Sequence, residues 1–128
     1  MQDGRNKLKK VLIILIVFLS LCSCNNKETT KNFSYTKIDN KKMTELMQDH
    51  DYTIIDVRSK EEYSGEHIKG AHNIPHDTIS KAVLPSTEII FVYCASGGRS
   101  KIAAENLIDL GYKVYDLGGI DEIDLPKE

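Results

Sequence analysis

The sequence predicts a small α/β domain, a mostly parallel sheet with helices on both faces. Three observations predict it. Short apolar runs alternate with segments of helical period along most of the chain. The two most apolar of these runs after the N-terminal segment, "YTIIDV" at 52–57 and "EIIFVYC" at 88–94, lack polar alternation, as strands covered on both faces do. The second run ends in a cysteine, then a turn of small residues, then a helix. In sheets of this kind ligands sit at the carboxyl ends of the strands, and Cys94 lies at one of those ends.

The chain has 128 residues, the length of one domain. Its first ten carry Arg5, Lys7, Lys9 and Lys10 against Asp3, and an apolar run follows from Val11 to Leu21. Eleven residues are too few to span a bilayer, which takes about 20 as a helix. A basic start before such a run reads as a secretory signal peptide rather than a short membrane anchor. The run closes on Leu21-Cys22-Ser23-Cys24, which resembles the lipobox of bacterial lipoproteins. That resemblance implies diacylglycerol on Cys24 and cleavage after Ser23; Cys22, behind bulky Leu21, is the weaker acceptor. A redox or metal role for this Cys-x-Cys pair would be lost with the cleaved or lipidated segment. The expected organisation is a signal peptide over 1–23, a polar tether over 24–34 and one domain over 35–128. Cleavage removes four of the 17 basic and one of the 19 acidic residues, leaving 105 residues with a net charge of −5. That balance, with no basic or aromatic surface pattern, argues against nucleic acid as a partner. With Cys24 blocked by lipid, Cys94 has no disulfide partner even in an oxidising compartment.

Within the domain, "KKMTELMQ" places Met43, Leu46 and Met47 on one helical face, with Asp39 or Asn40 as its cap. Tyr52–Val57 is a strand. "SKEEY" is one helical turn, Ser59 and Glu62 having capping-box spacing. "AHNIP" is a brief extended piece ended by Pro75, and "DTISKAV" a short helix capped by Asp77. Glu88–Cys94 is the most apolar strand. "SKIAAENLIDLGY" is a helix with Ile102, Ala103, Leu107 and Leu110 inward and Gly111 at a left-handed C-cap. "KVYDL" is the last strand, ended by Gly118-Gly119.

The loop "CASGGRS", Cys94 to Ser100, carries the functional argument. Small residues between a strand and a helix let successive N–H groups turn toward one centre, and Gly97 and Gly98 tolerate the positive φ this takes. Such a nest before a helix N-terminus is an anion cradle. A thiol inside it is stabilised as thiolate by the amides, the helix dipole and Arg99. The arrangement suits a nucleophilic sulfur that handles anionic substrates. A cysteine phosphatase needs Cys-x5-Arg, and here Ser100 occupies that position; the spacing is Cys-x4-Arg, a tighter loop sized for one added sulfur atom.

"CASGGRS" resembles the active loop of the rhodanese-like sulfurtransferase family, Cys-x-x-Gly-x-Arg-Ser. The upstream "IIDVRSKEEYSGEHIKGAHNIP" resembles that family's first signature, and "LGYKVYDLGG" its C-terminal part, so the resemblance covers about Tyr35 to Ile120. It implies a small rhodanese-like domain in which Cys94 takes a sulfane sulfur from an anionic donor, thiosulfate or polysulfide. Cys94 then holds it as a persulfide and passes it to a thiol or cyanide. Residues Ala95, Ser96, Gly97, Gly98, Arg99 and Ser100 are expected to bind the donor, with Arg99 as the cation facing it. No cofactor or metal is implied. Where thiosulfate-specialised members often place cations, this loop has Ala95 and Ser96.

Asp56 and Arg58 read either as catalytic groups or as a strand-end ion pair near the active loop; the resemblance points to the structural role. His67, His72 and His76 fit no single helix face, which argues against a metal site. Ser100 either caps the helix or also donates to the sulfur. The expectation is a monomeric sulfurtransferase, lipid-anchored in a bacterial cell envelope with its domain outside the cytoplasm. The alternatives are a non-catalytic module binding sulfur or a partner, and a cysteine phosphatase or arsenate reductase.

Overall fold

The computed structural model describes residues 32–128; the expected signal peptide, Cys24 and the tether as far as Lys31 lie outside the described residues. Helix α1 (Asn40–Asp49) starts at Asp39, whose carboxylate accepts the Lys42 N–H at 2.8 Å. Asn40, the other expected cap, is already helical. Its amide donates to the Glu122 carbonyl at 2.9 Å and accepts from the Asp124 N–H at 2.8 Å, tying α1 to the chain's last turn. Met43 and Leu46 are buried and the opposite face is solvated.

Strand β1 (Tyr52–Asp56) leads to α2 (Lys60–Gly65), whose Ser59/Glu62 capping box is complete: the Ser59 hydroxyl accepts from the Glu62 N–H at 3.2 Å and the Glu62 carboxylate from the Ser59 N–H at 2.9 Å. Helix α2 fully buries none of its residues; it places Glu62, and its Tyr63 hydroxyl donates to the Ala71 carbonyl at 2.7 Å. Strand β2 (His72–Asn73) is two residues long. The expected Asp77-capped helix is only a 3₁₀ turn, Ile79–Lys81, that begins after Thr78 without a side-chain cap. Ile79 is its one buried side chain, Val83 is 97% exposed, and Pro85 disfavours helical backbone at Leu84, so nothing holds a longer helix.

Strand β3 (Ile89–Cys94), helix α3 (Gly98–Asp109) and strand β4 (Val114–Gly119) complete the sheet. Its order is β2-β1-β3-β4 with every neighbouring pair parallel. Side chains of β3 alternate between two cores. Ile89, Phe91 and Tyr93 pack with Met43 and Leu46 of α1, while Ile90, Val92 and Cys94 pack with Ala103, Ala104 and Leu107 of α3. Helices therefore cover both faces.

The inward face of α3 differs from the sequence expectation. Ser100, Ala103, Ala104 and Leu107 are buried; Ile102 is 50% and Leu110 56% exposed. Ser100 faces the Cys94 sulfur, which sets the rotation of the helix. Ile102, two residues on at about 100° per residue, then points away from the sheet. The C-terminus of α3 is as expected. Gly111 has φ +93°, its N–H reaches the Ile108 carbonyl at 2.9 Å, and the Tyr112 N–H reaches Leu107 at 3.0 Å, a Schellman pair.

Register along β3 and β4 runs Val92 to Asp116 and then Tyr93 to Gly118, leaving Leu117 as an extra residue. Leu117 drops into the core beneath α1, and the buried Asp116 carboxylate accepts the Gly118 N–H at 2.8 Å across this bulge. The bulge turns Gly118 and Gly119 toward the loop after Cys94, so the last strand does not stop before the pair of glycines; it includes them.

Candidate active site

Strand order reverses between β1 and β3, and the site lies outside their carboxyl ends, the position that doubly wound sheets give to ligands. Cys94 ends β3 fully buried, its sulfur turned toward the start of α3. Gly97 takes φ +97° as the N-cap of α3, which brings its N–H to 3.0 Å from Sγ. Ser100 is the third residue of the helix rather than its cap. Its Oγ lies 3.5 Å from Sγ and donates to the Gly97 carbonyl at 3.1 Å. With a neutral thiol, S–H donates to Ser100 Oγ; when the thiol ionises, the hydroxyl can rotate and donate to sulfur instead. Burial pushes the thiol pKa up. The Ser100 hydroxyl and the N–H groups of Ser100, Ser96 and Gly97 more than offset that, leaving Cys94 below its ordinary value.

The loop residues divide by what they do. Ser96, Gly97 and Ser100 turn polar atoms toward the sulfur. Gly98 opens α3 and is exposed. Ala95 is exposed too, and its carbonyl lies against Gly119: a β-carbon on Gly119 would stand 2.7 Å from that oxygen and 3.3 Å from Ser96 Cα. Gly118 lies beside Gly97 more loosely, at ordinary contact distance: a β-carbon on Gly97 would meet Gly118 Cα at 3.7 Å. The two glycines ending β4 thus form a wall of bare backbone against the loop.

Arg99, expected to face the substrate, has both terminal nitrogens on Glu62, at 2.6 and 2.8 Å. Glu62 is thereby held down to about pKa 2, first by Arg99 and then by the Ser59 N–H, against some burial. The pair binds the capping box of α2 to the first turn of α3 and holds the guanidinium at the rim of the loop. Glu62 was legible only as a helix cap; its partner lies 37 positions away.

Asp56 and Arg58 form a buried pair. Arg58 donates to the carboxylate through Nε at 3.0 Å and Nη2 at 2.7 Å, and its own N–H accompanies them at 2.9 Å. Nη2 also reaches the Glu66 carbonyl at 2.6 Å, and the Asn73 amide donates to the carbonyls of Asp56 and Arg58 at 3.1 and 3.0 Å. These bonds pin the turn after β1 to the segments around Glu66 and Asn73. Removing one member of such a pair strands a buried charge, at a cost of about 3–5 kcal/mol.

His67 stacks on Tyr63 with ring centroids 3.7 Å apart, and its Nδ1 lies 2.9 Å from the Tyr63 carbonyl. His72 is exposed on β2. Among the described residues no three His, Cys, Asp or Glu side chains are grouped to hold a metal ion. One side chain at the site that sequence reasoning missed is Lys37. It crosses Gly118, where a β-carbon would lie 2.8 Å from Cε and 2.9 Å from Nζ, and pairs with Glu122 at 3.0 Å.

Comparison with known proteins finds related chains. The rhodanese-like domain model matches residues 39–124. Thiosulfate sulfurtransferase PspE of Escherichia coli (strain K12) is 41% identical over 78 residues, 57% of this chain and 75% of that protein. Thiosulfate sulfurtransferase GlpE of Coxiella burnetii (strain RSA 331) is 31% identical over 88 residues, 66% of this chain and 82% of that protein. Among solved structures, a rhodanese with anions from E. coli matches at 39% identity with a TM-score of 0.54, covering 60% of this chain and 96% of that one. On the match across its folded domain, the chain belongs to the rhodanese-like domain family.

Proposed function

We propose that the chain is a rhodanese-type sulfurtransferase that carries sulfur as a persulfide on Cys94. The observation that carries the reading is the convergence of three backbone N–H groups and one hydroxyl on a single buried thiol at the switch point of the sheet. The names of the two relatives, and the anions in the E. coli structure, support an anionic donor such as thiosulfate. The thiolate attacks the donor's outer sulfur. A bond forms between Sγ and that sulfur, the donor's S–S bond breaks, and sulfite leaves with the electron pair. The new terminal sulfur carries negative charge and takes the N–H bonds of the cradle. A cyanide or thiol nucleophile then bonds to that sulfur, the Cys94–S bond breaks, and the thiolate is restored. No outside oxidant or reductant is consumed with cyanide as acceptor, since thiocyanate is the product.

The N-terminal segment completes the proposal. Cys24 carries diacylglycerol, and the domain stands outside the cytoplasm on a short polar tether. Buried methylenes contribute about 0.8 kcal/mol each, so two or more acyl chains hold it on a membrane.

Intact mass of the full-length chain after thiosulfate or polysulfide treatment tests the enzymatic reading. The wild type is expected to gain about 32 Da at Cys94, one sulfur on a reactive thiolate, lost again on adding cyanide. Absence of any adduct in the wild type, as in Cys94→Ser, would overturn it.

A further inference from the structure

Of the basic side chains named at this site, two are committed. Arg58 is buried on Asp56, and Arg99 closes both terminal nitrogens on Glu62. Residues 95–98, Ala-Ser-Gly-Gly, carry no charge. Lys37 is different. Its ion pair with Glu122 at 3.0 Å is half-exposed at both ends, with side chains 50% and 56% accessible. Pairs of this kind exchange readily with water and other ions.

Its place is set by the fold. The backbone of Lys37 bridges Asp116 beside β4, and its side chain then runs across Gly118. Gly118 packs on Gly97, and Gly97 donates to the Cys94 sulfur at 3.0 Å. The ammonium and the sulfur are therefore separated by two glycine backbones, those of Gly97 and Gly118. Gly118, at φ +82°, adds no side chain of its own between them, and the Glu122 carboxylate lies over it beside the ammonium. Lys37 and Glu122 also share with Asp39, Asn40 and Leu117 an open hollow of about 440 Å³, which leaves them room to part.

We propose that Lys37 is a positioning residue for the donor: held by Glu122 on the far side of the glycine wall, its ammonium draws an anionic sulfur donor toward the loop through space, without touching it. A dianionic donor approaching a thiolate meets like charge, and an ammonium behind the two glycine backbones offsets part of that repulsion. The identity of the ligand as a sulfur donor rests on the function proposed above; the recruitment of an anion does not. Its electrostatics agree. The hydrogen bond and charge of Glu122 hold the Lys37 ammonium above its ordinary range, against slight desolvation, with Asp116 and the Cys94 thiolate adding in the same direction.

The test compares alkylation of Cys94 by iodoacetate, an anion, and by iodoacetamide, which is neutral. It uses the full-length wild type, Lys37→Gln and Glu122→Gln at low salt. One unit charge in a setting between protein and water changes the rate for a monoanion by about twofold to fivefold. Lys37→Gln is expected to slow iodoacetate by that factor and leave iodoacetamide unchanged. Glu122→Gln, which breaks the same pair but frees the ammonium, is expected to speed iodoacetate. With thiosulfate, Lys37→Gln is expected to raise KM by a similar or larger factor and keep kcat. Equal iodoacetate-to-iodoacetamide ratios in all three proteins would overturn the proposal. So would a shift in the same direction for both variants, which is what a purely structural ion pair gives. Because alkylation needs no sulfur transfer, the expected ratios without any persulfide would refute the enzymatic reading and leave this one standing.

Discussion

Ser100→Ala isolates the hydroxyl's share in holding the Cys94 thiolate. The side chain is buried, with Oγ 3.5 Å from Sγ and 3.1 Å from the Gly97 carbonyl. A hydrogen bond to a charged group contributes about 1.5–3 kcal/mol. Sulfur is a diffuse acceptor, and the N–H groups of Ser96, Gly97 and Ser100 remain, so the low end applies. That is about 1.4 kcal/mol, or one unit in the thiol's pKa. Folding should change by less than about 1 kcal/mol, because the Gly97 carbonyl keeps the Lys101 N–H at 3.2 Å and no buried acceptor is stranded. The assay is the rate of iodoacetamide alkylation against pH. Its midpoint is expected to rise by about one unit, with the rate below the midpoint falling about tenfold and the high-pH plateau unchanged. A folded variant with an unmoved midpoint would refute the reasoning and leave the amides as the sole support of the thiolate. A lowered plateau would mean that the loop itself had shifted.

Three further outcomes are expected. Gly119→Ala would place a β-carbon 2.7 Å from the Ala95 carbonyl, a backbone atom, so the loop must move; a stability loss of about 1–3 kcal/mol with a sharp fall in Cys94 reactivity is expected, and unchanged alkylation kinetics would contradict the close approach. Glu62→Gln keeps an acceptor for the helix cap but removes the negative charge that faces Arg99. Because the folded-state pKa is depressed from 4.5 to about 2, the wild type's advantage is full above pH 4.5 and fades as pH falls toward 2. With Glu62 35% and Arg99 32% exposed, screening limits it to about 1 kcal/mol, and a difference in urea unfolding that is flat with pH would contradict the assignment. Cys24→Ala is expected to abolish fatty-acid labelling and release the protein from membranes, while Cys22→Ala does neither; the reverse pattern would move the modified residue to Cys22.

The features legible from residue order alone are local or periodic. The Ser59/Glu62 capping box joins residues three apart, and the Gly111 cap closes on carbonyls three and five positions back. The unalternating strands at 52 and 89 are patterns averaged over a segment, and the loop from Cys94 to Ser100 is a spacing. Each is set by covalent geometry and near neighbours, so residue order is enough to read it. Tertiary structure decided the remainder, because these features depend on which strands become neighbours. Helix α3 exposes Ile102, a good core residue by type, because Ser100 must face a sulfur on another element. "DTISKAV" has helical period but only Ile79 finds a core to enter. Arg99 meets Glu62 across 37 positions, and Lys37 meets Glu122 across 85. Gly118 and Gly119 read as a strand-ending turn, yet the parallel pairing of β4 with β3 and the bulge at Leu117 make them the wall of the active loop. Such contacts carry no signal in the spacing of residues. They exist only once the strand order 2-1-3-4 has brought the carboxyl ends of β1, β3 and β4 to one edge of the sheet.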